Sequence, residues 1–433
     1  MTPTRPLASR LVAVVDLGFG DAGKGTTVDW LVRRLGARTV VRFNGGAQAG
    51  HNVVTTDGRH HTFAQFGAGT FAGARTHLSE HVVLHPSALV VEAGYLERAG
   101  VRAPLERITV DGRALVTTPL QQAAIRLREM ARGDGRFGSC GVGVGETMAD
   151  AIAAPEDAVR ARDLAGGSLR ARVLRLQARK RAELDAEIRA LARVPEARAE
   201  VRALEAPDVV DAWIDALAPV RSVVVDEARA REALREGTIV FEGAQGVLLD
   251  EWRGFHPYTT WSTCTFHNAL AIARDLGEPL ARIGVTRTYA TRHGPGPFPS
   301  ETRELEACFD EPHNVHGPWQ GAFRTGWLDL VLLRYAMDAC GGVDALALTH
   351  MDTLARMPRW RVCVRYADRA RVELGPARDL AYTEELGRSL RDVEPIALEH
   401  EKARCVTLLE EALGARVVLT SRGPTAADKS ERR

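Results

Sequence analysis

The feature that most constrains this chain is a mainly apolar run, LVAVVDL at residues 11–17, that leads directly into a glycine-rich segment. A run of this length that ends in glycines is typical of a parallel strand buried on both faces of a sheet. The segment at 18–25 reads GFGDAGKG and fits the GxxxxGK pattern of a phosphate-binding loop. We therefore predict a strand, a phosphate loop and then a helix over residues 28–35.

Short apolar runs recur along the rest of the chain and are separated by helical patterns or long loops. This alternation predicts an α/β fold of the P-loop NTPase kind, with a large, mainly parallel central sheet and helical inserts. The further runs lie at 39–43, 81–84, 222–225, 238–241, 282–285, 345–349 and 416–420.

Residues 155–217 differ from the rest because they are rich in Ala, Arg, Glu and Leu at helical spacing. We interpret them as a helical insert within one composite domain that spans residues 1–433. Their Arg and Glu residues lie three and four positions apart, which indicates a solvated helix face with weak ion pairs rather than a nucleic-acid surface.

Charge and cysteine usage exclude several classes of function. Lys+Arg number 57 against 56 Asp+Glu, so the net charge of +1 gives no basic field for gripping a nucleic-acid backbone. No apolar run has the length that a bilayer span needs. The six cysteines are scattered without a CxxC pair, which indicates reduced thiols. We expect a cytoplasmic protein that binds neither nucleic acid nor a membrane.

The phosphate loop itself is unusual. Ordinary P-loops place Ser or Thr after the lysine to bind magnesium, whereas this chain has Gly25 there. Thr26 or Asp21 would have to bind the metal instead. A carboxylate such as Asp21 beside bound phosphates would be repelled unless it binds a metal or takes part in the chemistry.

The loop sequence GDAGKG resembles the GDEGKG signature of the adenylosuccinate synthetase family, whose members join inosine monophosphate to aspartate. Other segments resemble that family in the same order, and together they cover most of the chain. They are VRFNGGAQAGH at 41–51, EGAQG at 242–246, TRHGPGPFP at 291–299 and GWLD at 326–329. The chain is identified on these motifs as a divergent member of the family.

The resemblance implies a GTP-dependent ligase that also needs Mg²⁺. Asp21 would be the general base and a magnesium ligand, the backbone of Gly50 a second ligand, and His51 the general acid. Lys24 would bind phosphates, and Gln245 would contact the six-position of the base or, alternatively, be a buried turn amide. Deprotonating the base drives its carbonyl oxygen onto the γ-phosphate, and an amine then displaces phosphate.

Guanine recognition is implied by THMD at 349–352, which resembles the family's Thr-Lys-x-Asp. A carboxylate accepts two N–H groups from guanine that adenine does not offer, so Asp352 favours GTP. His350 replaces the usual lysine, and SRGP at 421–424 resembles the family's Ser-Thr-Gly-Pro. The remaining nucleotide-binding residues implied by the resemblance are Gly20, Gly23, Gly25, Asn52, Ser421 and Gly423.

The acceptor side departs from the family pattern. The family's GTTGRG loop for inosine monophosphate is GSCGVG at 138–143 here, so Cys140 replaces a hydroxyl beside Ser139 and a valine replaces an arginine. Gln48 replaces an asparagine, while Thr260 and Arg292 remain as substrate-binding candidates. Cys140 is either a spare thiol or a contact to a new ligand.

The amine side departs as well. The family's arginine-rich loop holds the two carboxylates of aspartate, and only Arg324 of that cluster remains. Trp319 and Phe323 offer apolar surface instead. We therefore expect small-molecule substrates, namely a nucleotide or amide-like acceptor and an amino acid, with altered acceptor specificity.

Three other hypotheses stay open at this stage. The first is a true adenylosuccinate synthetase of purine biosynthesis. The second is a non-catalytic GTP-binding regulatory protein, against which the presence of both Asp21 and His51 argues. The third is an ATP-dependent kinase, against which Asp352 and Gly25 argue. The resemblance also implies a homodimer.

Overall fold

The computed structural model describes residues 6–308 and 321–432, which contain nineteen strands and fifteen α-helices. The strands are β1 Leu11–Asp16, β2 Thr39–Arg42, β3 His51–Val54, β4 His60–Phe63, β5 Arg75–Leu78, β6 Val83–Leu84, β7 Ile108–Asp111, β8 Leu115–Val116, β9 Val224–Val225, β10 Ile239–Glu242, β11 Leu280–Arg287, β12 Ala290–His293, β13 Phe323–Gly326, β14 Leu328–Asp329, β15 Ala345–Thr349, β16 Arg361–Tyr366, β17 Pro395–Glu399, β18 Val417–Ser421 and β19 Lys429–Glu431.

The helices lie between and around these strands. They are α1 Lys24–Leu35, α2 Pro86–Arg98, α3 Pro119–Arg132, α4 Val144–Ala153, α5 Leu169–Glu183, α6 Asp185–Ala190, α7 Arg198–Glu205, α8 Pro207–Asp215, α9 Ala218–Arg221, α10 Glu227–Ala233, α11 His267–Asp275, α12 Leu330–Ala339, α13 Met351–Arg356, α14 Leu380–Ser389 and α15 Cys405–Leu413. In the part of the chain that the structure describes, none of them is long and apolar enough to cross a membrane.

Ten strands form the central sheet, in the order β19-β18-β15-β11-β1-β10-β2-β5-β7-β9. Every neighbouring pair is parallel except β18 and β19. β1 lies near the middle, and Leu11 pairs with Ile239 on one side and Leu280 on the other. The predicted α/β fold with a mainly parallel sheet is confirmed.

β1 is buried on both faces, as the apolar run predicts. Val12 and Val14 belong to a core that packs against α1, while Ala13 and Val15 face a second core on the other side of the sheet. All four side chains are essentially inaccessible to solvent. Because successive residues of a strand point to opposite faces, one strand contributes to two cores.

Three strands of the sheet, β5, β7 and β19, were not predicted. β5 and β7 have the sequences RTHL and ITVD, whose polar residues hide the apolar pattern. In the sheet His77 Nδ1 lies 2.9 Å from Thr109 Oγ1, so these polar groups satisfy one another. The run at 81–84 contributes only β6, which pairs with β8 outside the central sheet. The predicted start of α1 at residue 28 is wrong, because the helix begins at Lys24.

Helices α5 to α9 occupy residues 169–221, where α5 to α8 pack against α3 and α9 packs against α2. A buried lysine links α5 to α4: Lys180 Nζ in α5 lies 2.8 Å from Glu146 and 2.9 Å from Asp150 in α4, and 3.2 Å from Glu183 in its own helix. Lys180 is 1% exposed. The carboxylates of α4 are therefore balanced by a charge from α5.

We expect Lys180→Met to lower the free energy of unfolding by about 3–5 kcal/mol, because it removes the buried ammonium that the carboxylates of Glu146 and Asp150 share. Urea unfolding followed by circular dichroism measures this change. The matched control is Arg170→Met in the same helix, since Arg170 pairs with Asp211 at an exposed position; it should change stability little. Equal losses in the two variants would contradict the interpretation.

Candidate active site

The carboxyl ends of the parallel strands meet at one edge of the sheet, where ligands bind in open α/β folds. The loops after β1, β10 and β11 are in contact there. Leu248 N–H donates to Gly18 O at 3.0 Å, and Arg287 Nε donates to Asp21 O at 2.6 Å. β15 joins them through Thr349, whose hydroxyl donates to Ala22 O at 2.8 Å.

Asp16, the last residue of β1, organises the glycine-rich loop. Its carboxylate accepts the N–H groups of Gly18 and Ala22, each at 2.8 Å, and the ammonium of Lys24 at 3.1 Å. Asp16 and Lys24 are 1% and 4% exposed. The loop lysine is therefore held in place by a buried carboxylate inside the loop.

The loop takes a left-handed backbone at Gly20, Asp21 and Gly23, with φ of 98°, 61° and 84°. Glycine adopts this conformation easily, but aspartate does so at a cost. The hydrogen bond from Arg287 to Asp21 O supports the strained residue. The turn places the Asp21 side chain on the outside of the loop, where about a third of it is exposed, at 32%.

The Asp21 carboxylate faces His293 of β12, whose Nε2 lies 3.2 Å from Oδ2. Burial raises the pKa of Asp21, but the hydrogen bond and charge of His293, with the charges of Arg287 and Lys24, lower the pKa to about 2. Asp21 is therefore ionised at neutral pH and ready to accept a proton or bind a cation.

His51, the first residue of β3, forms a buried pair with Glu242 at the end of β10. His51 Nδ1 donates to Glu242 Oε1 at 2.5 Å, and Ala68 N–H donates to the other oxygen at 2.9 Å. Burial lowers the pKa of His51 more than Glu242 raises it, and Arg42 lowers it further. The pair fixes the ring so that Nε2 is the nitrogen that remains for a ligand.

Gly25 explains why this loop lacks the usual Ser or Thr. A β-carbon built on Gly25 would lie 2.8 Å from Cβ and 3.0 Å from C of His51, and 3.1 Å from Asn52 O. The first turn of α1 and the start of β3 therefore touch through bare backbone. Any side chain at residue 25 would separate the phosphate loop from His51.

Gln245 and Gln48 lie beside the same pair of glycines. A β-carbon on Gly45 would be 3.1 Å from Gln245 Oε1, and one on Gly46 would be 3.0 Å from Gln48 Oε1. Both amide oxygens are buried without a hydrogen-bond partner in the structure. Buried polar atoms are nearly always paired, so these two oxygens fit the N–H groups of a substrate.

The predicted guanine contacts lie at the carboxyl end of β15. His350 has a left-handed φ of 59° and precedes α13. Its ring packs edge-on against Tyr289 at 5.7 Å, and its Nδ1 lies 2.9 Å from Thr349 Oγ1. Asp352 lies in the first turn of α13, 38% exposed and 3.8 Å from Arg356, so its carboxylate remains accessible.

The C-terminal segment closes on α1. Thr26 Oγ1 donates to Pro424 O at 2.7 Å, and Lys429 Nζ reaches the same hydroxyl at 2.5 Å. Burial lowers the pKa of Lys429 to about 8. Ser421 Oγ donates to Gly423 O at 3.0 Å. The structure thus brings the 421–424 segment to the phosphate loop, and Thr26 is engaged by it.

Ser139 and Cys140 lie in the loop before α4, where Gly141 N–H donates to Ser139 Oγ at 3.1 Å. Burial raises the pKa of the Cys140 thiol, so it is protonated at neutral pH. Thr260 is half-buried and its N–H donates to Leu249 O at 2.8 Å. The half-buried side chain of Asn52 faces Thr62, 2.6 Å away, on the side of β3 opposite His51.

Arg292 and Arg324 contact the chain itself. Arg292 donates to the carbonyls of Pro295 at 3.1 Å, Pro297 at 2.9 Å and Tyr258 at 3.4 Å. Burial lowers its pKa to about 9. Arg324 pairs with Glu301 through two nitrogens and donates to Gly294 and Gly296 carbonyls. Trp319, the apolar residue expected beside Arg324, lies outside the described residues.

The predicted magnesium ligands are Asp21 and the carbonyl of Gly50. Within residues 6–308 and 321–432, no three His, Cys, Asp or Glu side chains cluster as a metal site. Magnesium is commonly held by one or two carboxylates, with substrate phosphates and water as its other ligands. The ionised Asp21 and the exposed Gly50 fit an ion that phosphates help to bind.

Four residues with central positions here were not predicted as site residues: Asp16, Glu242, Arg287 and His293. Each ends a strand of the central sheet or lies in a quoted motif. A charged residue that closes a buried strand at the carboxyl edge is a signal that could have identified the first three.

The comparisons with known proteins show one family. A family model described as adenylosuccinate synthetase matches residues 13–429. The adenylosuccinate synthetase of Myxococcus xanthus is 33% identical and is covered over 97% of both chains. That of Ralstonia nicotianae is 33% identical over 82% of this chain and 79% of its own.

Two solved structures resemble the fold. The fully ligated adenylosuccinate synthetase of Plasmodium falciparum superposes with a TM-score of 0.74, at 20% identity, over 98% of this chain and 100% of its own. The succinoaminodeoxyadenylate synthetase of cyanophage S-2L, bound to dGMP and to dATP as an energy donor, gives a TM-score of 0.54 at 19% identity, over 97% and 94%.

We expect Gly25→Ala to push α1 away from His51 and to lower the free energy of unfolding by about 1–3 kcal/mol through overpacking. Because the phosphate loop and His51 are then displaced from each other, GTP affinity and any GTP-dependent rate should fall about a hundredfold. Thermal unfolding and GTP titration measure these effects. Gly167→Ala is the control, since nothing lies within 4 Å of its β-carbon. A Gly25→Ala variant that binds GTP normally would contradict the proposed contact.

Proposed function

This chain belongs to the adenylosuccinate synthetase family and is an enzyme of that ligase type; on this premise we propose that it uses GTP and Mg²⁺ to activate a carbonyl oxygen that an amine then replaces. The observation that carries the proposal is the joint placement of Asp21 and His51. Asp21 lies in the phosphate loop, and His51 touches that loop through Gly25. Lys24 is close enough to lower the pKa of both residues.

In this proposal Asp21 removes the proton from the N–H beside the acceptor's carbonyl. Loss of that proton moves negative charge onto the carbonyl oxygen, which then attacks the γ-phosphate of GTP. Asp21 is ionised before substrate binds, so no prior deprotonation is needed. A magnesium ion held by Asp21 and the Gly50 carbonyl would neutralise phosphate charge.

His51 takes the role of general acid. Its pKa lies below the ordinary imidazole value because the ring is buried. Phosphate oxygens beside Nε2 would favour the charged imidazolium, so nucleotide binding itself recruits the proton. Glu242 then stabilises the charge that His51 acquires, as a carboxylate does behind a catalytic imidazole.

We propose that the acceptor donates hydrogen bonds, from hydroxyl groups or from N–H groups other than the one that Asp21 deprotonates, to Gln48 and Gln245, whose amide oxygens are buried and unpaired. The part of the site expected to hold the amine substrate favours an amine with fewer carboxylate groups than aspartate. Arg324, the one arginine left from the family's cluster, is engaged by Glu301 and two carbonyls. The cyanophage relative, named with dGMP and dATP, supports the idea that this fold serves more than one acceptor and donor.

A second candidate function is that of a true adenylosuccinate synthetase. The 33% identity to the Myxococcus xanthus enzyme over nearly all of both chains favours it equally. The two candidates share the nucleotide side and differ only in acceptor and amine. The homodimer and the cytoplasmic location stay predictions.

The deciding measurement is magnesium-dependent phosphate release from GTP, first with inosine monophosphate and aspartate, then with each replaced by a panel of nucleotides, amides and amines. We expect release to need both an acceptor and an amine, and to be faster with GTP than with ATP. Release with the first pair at ordinary rates would show a true adenylosuccinate synthetase. Phosphate release at the same rate with and without an acceptor and an amine would contradict the ligase proposal.

Asp21→Asn and His51→Ala should each lower the rate of release at least about a hundredfold, since each removes a proton-transfer group. Circular dichroism should show that the variants keep their fold. If a variant keeps the full rate of phosphate release, the substituted residue has no part in the mechanism.

The pH dependence tests the His51–Glu242 pair. Burial depresses the pKa of His51, so its protonated form, the acid of the proposed reaction, accumulates only as the pH falls. We therefore expect kcat/KM for GTP to rise from about pH 8 towards pH 6. Glu242→Gln removes the partner that raises this pKa, so the rise should shift to lower pH. If the maximal kcat/KM falls while the pH range of the rise is unchanged, Glu242 only supports the fold.

A further inference from the structure

Two residues that the proposed function uses have a backbone conformation that ordinary residues seldom adopt. Asp21 in the phosphate loop has a φ of 61°, and His350 at the expected base site has a φ of 59°. Both values lie in the left-handed region, which glycine occupies freely and other residues occupy at a cost. Such a conformation persists where the surrounding structure enforces it. Both residues therefore need neighbouring groups that hold them.

One short turn, residues 287–289 between β11 and β12, contacts both of them. Arg287 Nε donates to Asp21 O at 2.6 Å, and the Thr288 hydroxyl donates to His350 O at 3.0 Å. The ring of Tyr289 packs edge-on against His350, with ring centroids 5.7 Å apart. Consecutive residues of one turn thus hold the strained residue of the phosphate loop and the strained residue of the base site.

Within the 287–289 turn, Arg287 and Tyr289 also bind each other. Arg287 Nη1 donates to Tyr289 OH at 2.7 Å, and the guanidinium carbon lies 5.1 Å from the centroid of the tyrosine ring. Arg287 is 5% and Tyr289 2% exposed, so solvent does not replace a contact that either side chain loses. Trp360 Nε1 donates to Thr288 O at 2.9 Å and anchors the turn. A displacement of Tyr289 would therefore displace the guanidinium that holds Asp21.

The peptide group between Asp21 and Ala22 is held at both of its polar atoms. Its N–H donates to the Asp16 carboxylate at 2.8 Å, and its carbonyl oxygen accepts from Arg287. A rotation of this peptide would change ψ of Asp21 and reorient its carboxylate. The next carbonyl, that of Ala22, accepts from the hydroxyl of Thr349, the residue before His350, at 2.8 Å. The base side of the site therefore holds two successive carbonyls of the phosphate loop.

We propose that Arg287 and Tyr289 are positioning residues through which a purine base bound beside His350 fixes the carboxylate of Asp21. This inference rests on the proposed function for the place of the base and for the role of Asp21. A base packed on His350 restrains that ring and Tyr289 against it, so Arg287 stays on the Asp21 carbonyl. The strained peptide of Asp21 is the element with two states, and a bound base and a bound phosphate favour the same state.

The coupling has to be reciprocal, so it is measurable with the base and the phosphates on separate molecules. The full chain is titrated calorimetrically with pyrophosphate in the presence of Mg²⁺, with and without guanosine at its solubility limit. We expect guanosine to raise the affinity for pyrophosphate at least about fivefold, at the lower end of ordinary coupling factors. An affinity that is unchanged or lower with guanosine overturns the proposal.

Tyr289→Phe removes the hydroxyl that Arg287 contacts and keeps the ring against His350. We expect the affinity for each ligand alone to stay within about twofold of wild type, while the effect of guanosine on pyrophosphate falls below about twofold. A structural role alone would instead weaken both ligands and leave the coupling factor unchanged. A folded variant that keeps the coupling overturns the proposal.

The matched control is Tyr382→Phe in α14, because the Tyr382 hydroxyl likewise donates to a main-chain carbonyl, that of Glu373 at 2.9 Å. It should keep the full coupling factor. Thermal unfolding shows whether the variants are folded. If Tyr289→Phe is not folded, Arg287→Lys takes its place with the same expectation, since a lysine keeps the charge but lacks the fork that bridges Asp21 O and Tyr289 OH.

Failure of the proposed function would look different, because these titrations contain neither an acceptor nor an amine. Phosphate release at the same rate with and without an acceptor and an amine would reject the ligase and leave the coupling measurable. A ligase with normal turnover in which guanosine leaves pyrophosphate binding unchanged would reject only the positioning role of Arg287 and Tyr289.

Discussion

The hydrogen bonds around the Asp16 carboxylate are the interactions on which the candidate site depends. A glycine-rich turn exposes backbone N–H groups, and a buried ammonium beside them would be costly without a counter-charge. Asp16 accepts two of these N–H groups and Lys24. The phosphate loop therefore has its shape before nucleotide arrives, and β1 can end inside the core with a charged residue.

The second constraint is the contact between α1 and β3. Because Gly25 has no side chain, the helix that follows the phosphate loop lies directly against His51. Movement of the loop would therefore move the histidine, and Glu242, bound to His51, ties both to the end of β10. The base and the acid of the proposed reaction come from different parts of the chain, and the close contact between Gly25 and His51 joins these parts.

Much of this arrangement could be predicted from sequence. The apolar run and GxxxxGK pattern are local signals, and they indicate β1, the loop and the mainly parallel sheet correctly. β5 was missed because its polar residue His77 pairs with Thr109 on a neighbouring strand. A polar pair between two strands cannot be recognised from a single sequence. α1 was predicted too short because Gly25 weakens the local helix signal. Glycine is required at residue 25 because His51, which is distant in sequence, packs directly against it.

Paired and unpaired buried groups carry different information about substrates. Gln48 and Gln245 keep unpaired amide oxygens, and because burial without a partner is costly, a ligand that donates hydrogen bonds at this position is stabilised. The Glu129 carboxylate and the N–H groups of Gly138 and Ser139, in contrast, satisfy one another within the chain. The unpaired oxygens lie beside Gly45 and Gly46, and the paired N–H groups lie in the loop before α4. The unpaired oxygens therefore mark the part of the site where a bound molecule would supply hydrogen bonds that the chain cannot make for itself.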